Sequence, residues 1–170
     1  MPSNVEIKAK VSDPAQFAQK AAELSQSEGR IIRQHDTFFT CSRGRLKLFV
    51  FPSGRVGSAD LLPASGHRRT KTSTTSTVSC DGDGHGDLCL QAVLSDALGV
   101  KGEVRKERRL FLIGQTRVHL DTVEGLGHYM ELEVLIILEK VAEGLMQQLG
   151  VSQESLVTGA YVDLILKQQV

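Results

Sequence analysis

An excess of charge is the first thing missing: 20 Lys and Arg balance 20 Asp and Glu. Binders of nucleic acid or of anionic membrane carry a positive surplus, so neither partner is expected. No apolar run is long enough to cross a bilayer. Residues 1–10 hold no apolar stretch of the signal-peptide kind. Cysteine is scarce, and Cys41, Cys80 and Cys89 form neither a paired framework nor a C-x-x-C motif. A reducing, cytoplasmic setting is the expectation. No internal repeat recurs at a fixed period. What remains is 170 residues of ordinary globular composition, enough for one domain with a real core.

Residues 4–11 alternate with period two and predict a strand. Ser12 or Asp13 then caps a helix with Pro14 in its first turn and Phe17, Ala18, Ala21 and Leu24 on one side. Residues 30–41 and 45–51 predict two more strands across a turn at Arg43 and Gly44. Order weakens over 53–87, which is rich in Gly, Ser, Thr and Asp; this segment predicts a mobile or aberrant excursion. A short helix at 88–98 ends at Gly99. Strands follow at 101–113, 116–123 and 129–137, then a helix at 138–149 ended by Gly150. The tail holds a helical turn and an amphipathic segment near 161–166.

Strand faces carry the chemistry, because side chains at i, i+2 and i+4 share a face. Glu6, Lys8 and Lys10 share one face of the first strand. Arg45 and Lys47 share another, opposed by Leu46 and Leu48. Lys106 and Arg108 form a third. Arg117, His119 and Asp121 are opposed by Val118 and Leu120. Tyr129, Glu131 and Glu133 are opposed by Met130, Leu132 and Val134. Any one of these could be the wet face of an antiparallel sheet. Together they sort bases onto some strands and carboxylates onto others, which a solvated face has no reason to do. The expected fold is therefore α+β: an antiparallel β-barrel with charged faces inward and helices packed outside. Such an interior is tolerable only with a highly charged ligand. Lys8, Lys10, Arg45, Lys47, Lys106, Arg108 and Arg117 would clamp phosphate oxygens. Glu6, Glu131, Glu133 and Asp121 would hold a hard cation. Lys8 and Asp121 are the candidate catalytic groups.

These residues resemble the CYTH family, named for class IV adenylate cyclases and thiamine triphosphatases. The resemblance covers about 4–48 and 92–167. N-V-E-I-K-A-K at 4–10 is similar to the family's E-x-E-x-K, with Asn4 in place of the first Glu, as in the bacterial cyclase-like branch. H-D-T-F-F at 35–39, G-R-L-K-L at 44–48 and V-R-K-E-R-R-L-F at 104–111 match in order. V-H-L-D-T-V-E-G-L-G at 118–127, E-L-E at 131–133 and G-A-Y-V-D-L at 159–164 complete the series. The resemblance implies a closed triphosphate tunnel, Mg2+ or Mn2+ as cofactor, and ATP, thiamine triphosphate or inorganic triphosphate as substrate, hydrolysed or cyclised.

The chain also departs from the family. Phe49 stands where an Arg usually follows L-K-L, and 49–91 lacks the expected acidic and aromatic-x-basic strand, as though it came from another reading frame. If so, the barrel is incomplete, and a catalytically weak triphosphate-binding variant is the alternative function. Cys80, His85 and Cys89 with Asp81, Asp83 and Asp87 fit neither zinc nor calcium spacing. Gly82, Gly84 and Gly86 lack the strand and the Lys-Ser/Thr of a phosphate loop.

Overall fold

The computed structural model describes residues 4–42, 44–50, 56–62, 70–71, 85–135 and 139–168. The elements are β1 (Asn4–Lys10), α1 (Pro14–Ser25), β2 (Arg30–Phe39), β3 (Arg45–Val50), β4 (Val56–Leu62), β5 (Thr70–Lys71), α2 (His85–Leu98), β6 (Val100–Ile113), β7 (Thr116–Val123), β8 (Gly127–Leu135), α3 (Glu139–Leu149) and α4 (Tyr161–Gln168). The fold is α+β, and every strand pairing with a described register is antiparallel. The chain divides into two compact units. The first comprises Met1–Ile32, Gly66–Thr72 and Glu107–Gly159; the second comprises Arg33–Ser65, Ser73–Lys106 and Ala160–Val170.

In the first unit the hydrogen-bonded order runs from the C-terminal part of β6 through β7, β8 and β1 to β5. One face of this sheet is apolar because alternation puts Ala9, Val118, Leu120, Met130, Leu132 and Val134 on it. The apolar stripes of α1 (Phe17, Ala21) and α3 (Ala142, Leu145, Met146, Leu149) join these residues in one core. Helix α1 starts where the sequence predicts: Asp13 Oδ1 accepts from Gln16 N at 2.9 Å, and Pro14 occupies the first turn. Gly29 leads from this helix into β2 with φ +76°, and a Cβ there would lie 2.7 Å from the Phe111 ring. Only glycine tolerates both the backbone angle and the contact.

In the second unit the order is β4, β3, β2 and the N-terminal part of β6. Helix α2 stops at Gly99, whose φ is +72°. Gln91 Nε2 donates to Thr37 Oγ1 at 3.4 Å, tying α2 to β2. Helix α4 lies against β6 where Gly102 leaves room: a Cβ there would meet Val162 Cγ2 at 2.9 Å.

The expected excursion over 53–87 needs correction at Val56–Leu62. This segment is a strand laddered onto β3, with Lys47 opposite Asp60 and Leu48 opposite Ala59. Gly57 and Ser58 blur its alternation, and the hydrogen-bonding edge of β3 supplies what local propensity does not. Residues 70–71 also pair, with β1, and α2 begins at His85. The rest of the segment lies outside the described residues, as do Cys80, Asp81 and Asp83 of the Cys80–Cys89 cluster. The barrel is incomplete: β4 and β5 end the hydrogen-bonded order and do not pair with each other among the described residues.

Candidate triphosphate site

In the first unit, antiparallel register turns the polar faces into rows. Glu6 pairs with Glu133, Lys8 with Glu131 and Lys10 with Tyr129 across β1 and β8. Arg117 pairs with Glu133, His119 with Glu131 and Asp121 with Tyr129 across β7 and β8. Opposed residues share a face, so the three strands bring bases and acids within reach of one another.

Arg108 is the hub. Its Nε donates to Asp121 Oδ1 and its terminal nitrogen to Oδ2, both at 2.6 Å, a bidentate pair. The same terminal nitrogen also donates to Glu131 Oε2. The other Glu131 oxygen lies 2.9 Å from Lys8 Nζ, which is 3.7 Å from Glu6 Oε1. Asp121 is 0% exposed and Glu131 6%. Lys8 and Arg108 are buried as well. Charges this deep persist only when paired and hydrogen-bonded. These contacts join two cations, Lys8 and Arg108, to Glu6, Glu131 and Asp121. Lys8 Nζ also donates to Gly159 O at 3.3 Å. Glu133 is more open and lies 3.6 Å from Arg117 and 3.5 Å from His119.

Two carboxylates stand directly opposite each other at Glu6 and Glu133, with Lys8 3.7 Å from the first and Arg117 3.6 Å from the second. Carboxylate oxygens are of the kind that could hold a hard divalent ion. Glu131 and Asp121 are turned to Arg108 and Lys8 instead. Among the described residues no three acidic, His or Cys side chains are grouped to hold a metal ion. Lys10 is exposed and takes no part in the network. It lines a cavity of about 370 Å3 with Asp13, Gln16, Phe17, Gly150 and Ser152.

The second unit holds the other predicted cations, each beside a partner that the strand pattern did not reveal. Arg45 donates to Asp163 Oδ2 at 2.7 Å, and Ala160 N donates to the same oxygen at 3.0 Å. Lys47 Nζ lies 3.6 Å from Asp36 Oδ2. Lys106 sits over the Tyr161 ring, 5.1 Å from its centroid. His35 Nε2 lies 3.2 Å from Glu103. Asp36 and Asp163 fall inside the H-D-T-F-F and G-A-Y-V-D-L motifs, the one signal that could have marked them in advance.

Comparison with known proteins bears on the fold. The fold matches the PH1012 protein of Pyrococcus horikoshii OT3 with a TM-score of 0.72 at 20% identity, over 95% of this chain and 98% of that one. A candidate adenylate cyclase from Vibrio parahaemolyticus matches at TM-score 0.69 and 16% identity, over 96% and 98% of the two chains. The S. pombe Pct1 RNA triphosphatase, solved with the Spt5 CTD, matches at TM-score 0.50 and 11% identity, over 88% and 79%. These likenesses establish the fold. Among curated proteins no relative matches the sequence. The profile of the CYTH domain matches residues 63–161, more than half of the sequence. The chain belongs to the CYTH domain family.

Proposed function

We propose that this CYTH protein, as a single domain over 1–170, binds a triphosphate together with Mg2+ or Mn2+ and hydrolyses or cyclises it. The observation that carries the reading is the buried Lys8–Glu131–Arg108–Asp121 network on one strand face. Stability alone is poor reason to bury so many charges, since apolar replacements of the same volume often serve as well. A polyanion gives them work. Lys8, Lys10, Arg108 and Arg117 are the proposed phosphate contacts of the first unit; Arg45, Lys47 and Lys106 are the cations that the second unit by itself offers a phosphate. Lys8 is the proposed catalytic cation. Asp121, fully buried against Arg108, fixes the guanidinium so that its direction is set before ligand arrives. Glu6 and Glu133 would hold the metal, with Glu131 beside them. A bound Mg2+ or Mn2+ supplies charge neutralisation and polarisation of the phosphorus–oxygen bonds. Phosphoryl chemistry depends mostly on such positioning and electrostatics, so no separate nucleophilic triad is required.

Two structural relatives bear the names adenylate cyclase and RNA triphosphatase, and both names concern triphosphates. The test is one incubation each with ATP, thiamine triphosphate and inorganic triphosphate, with Mg2+ or Mn2+ and with products resolved. Turnover of at least one is expected; no turnover of any of them overturns the enzymatic reading. A second reading, a binding module with weak or no catalysis, is favoured by Arg108 and Arg45 already holding carboxylates where phosphate would go. Calorimetry separates the two: triphosphate binding without turnover selects the module.

A further inference from the structure

We propose that the first unit carries a second binding site, in the cavity beside the end of β1, that takes a small zwitterion with an apolar side chain, the chemistry of a free aliphatic amino acid. The cavity holds about 370 Å3, and every residue that lines it belongs to the first unit. Ligand cavities begin at about 300 Å3. Its floor is apolar: Val11, Phe17 and Leu149 line it and are 8%, 2% and 2% exposed. Its rim carries both signs of charge, with Lys10 at the strand end and Glu154 on the segment after α3. Val157 N donates to Lys8 O at 2.9 Å, and Leu156 bridges to Ala9 in the antiparallel sense. Continuing that sense lays Glu154 alongside the end of β1, near Lys10. Both are exposed, and among the described residues neither forms an ion pair.

Two helices bring opposite partial charges to the same cavity. Helix α1 begins there, since Ser12, Asp13 and Gln16 line it, and its first amides carry partial positive charge. No acidic side chain lies in that first turn, and the cap Asp13 already spends Oδ1 on Gln16 N at 2.9 Å. Helix α3 ends there, since Leu149 and Gly150 line it, and its last carbonyls carry partial negative charge. The protein itself sets an ammonium at this end: a Cβ on Gly150 would lie 2.8 Å from Lys20 Nζ. A carboxylate is therefore favoured toward Lys10, Ser12 and the start of α1. An ammonium is favoured toward Glu154 and the end of α3. A ligand of one sign would leave either Lys10 or Glu154 facing a like charge. An inorganic ion would leave the apolar floor uncovered.

The site stands apart from the triphosphate reading, although Lys10 belongs to both, so the test omits triphosphate. Amide shifts of the intact chain are followed by NMR during titration with L-leucine, isocaproate, isoamylamine and glycine. The second probe lacks the ammonium of leucine, the third its carboxylate and the fourth its side chain. Leucine should bind saturably below about 10 mM and move the amides of 12–17 and 150–157. Each other probe should bind at least about tenfold more weakly, the scale of one charged hydrogen bond or of one buried aliphatic side chain. Glu154→Gln should weaken leucine at least about fivefold and leave isocaproate unchanged. Lys10→Met should weaken leucine and isocaproate alike and leave isoamylamine unchanged. Both positions are exposed, so neither variant should move the urea midpoint. No saturable leucine binding, or equal affinity for leucine and any one of the three truncated probes, overturns the proposal. Leucine binding that neither variant alters overturns it as well.

Discussion

Replacing Asp121 with Asn is the sharpest probe of the buried network. The substitution keeps the shape and removes the charge that holds Arg108 by two hydrogen bonds of 2.6 Å. It also turns an amide nitrogen, a donor, toward a guanidinium that has only donors. Removing one partner of a buried ion pair costs about 3–5 kcal/mol. Glu131 still contacts Arg108 in the variant, so the lower end, about 3 kcal/mol, is expected. With a urea m-value of about 2 kcal/mol/M, the unfolding midpoint should fall by about 1.5 M with m unchanged. Arg108→Met should cost at least as much, since it removes both 2.6 Å hydrogen bonds from a carboxylate that is 0% exposed. The double variant Asp121→Leu with Arg108→Met removes both charges and leaves Glu131 to Lys8, 2.9 Å away. Its cost should undershoot the sum of Asp121→Leu and Arg108→Met, each measured alone, by about 2 kcal/mol or more. A single Asp121→Asn cost below about 1 kcal/mol, or costs that simply add, would refute the account of Arg108 as hub.

Glu133→Gln should weaken metal-dependent triphosphate binding about tenfold, roughly 1.4 kcal/mol, and a metal titration matching wild type would show that this carboxylate is merely solvated. Gly29→Ala should destabilise the fold by more than about 1 kcal/mol, because it meets both a φ of +76° and the Phe111 ring at 2.7 Å; denaturant unfolding reads the loss directly. Amides of β4 that bond to β3 should exchange slowly with solvent, whereas exchange at the rate of an unstructured peptide would contradict the ladder. Asp163→Asn removes the charge from the 2.7 Å contact with Arg45, so exchange across Tyr161–Gln168 should quicken while β7 and β8 keep their protection.

The polar faces were legible because alternation is local. Lys8, Arg108, Asp121 and Glu131 had to leave their strands on the side away from Ala9, Val118, Leu120, Met130 and Leu132, wherever those strands went. The same rule named most of the core and placed helices α1 and α3 over it. Asp13 as cap and Gly99 as stop were legible for similar reasons, since each acts on its own turn. Strand β4 was not legible: Gly57, Ser58 and Asp60 argue against a strand until β3 offers its unpaired edge. Nor could the partners be read. Arg45 meets Asp163 across 118 residues and Arg108 meets Asp121 across 13, and nothing in either neighbourhood names the other. The sequence by itself determined which side chains would be charged and on which face of each strand. Only the tertiary structure decided that those charges neutralise one another, because a buried charge takes whichever opposite charge the register brings within hydrogen-bonding distance.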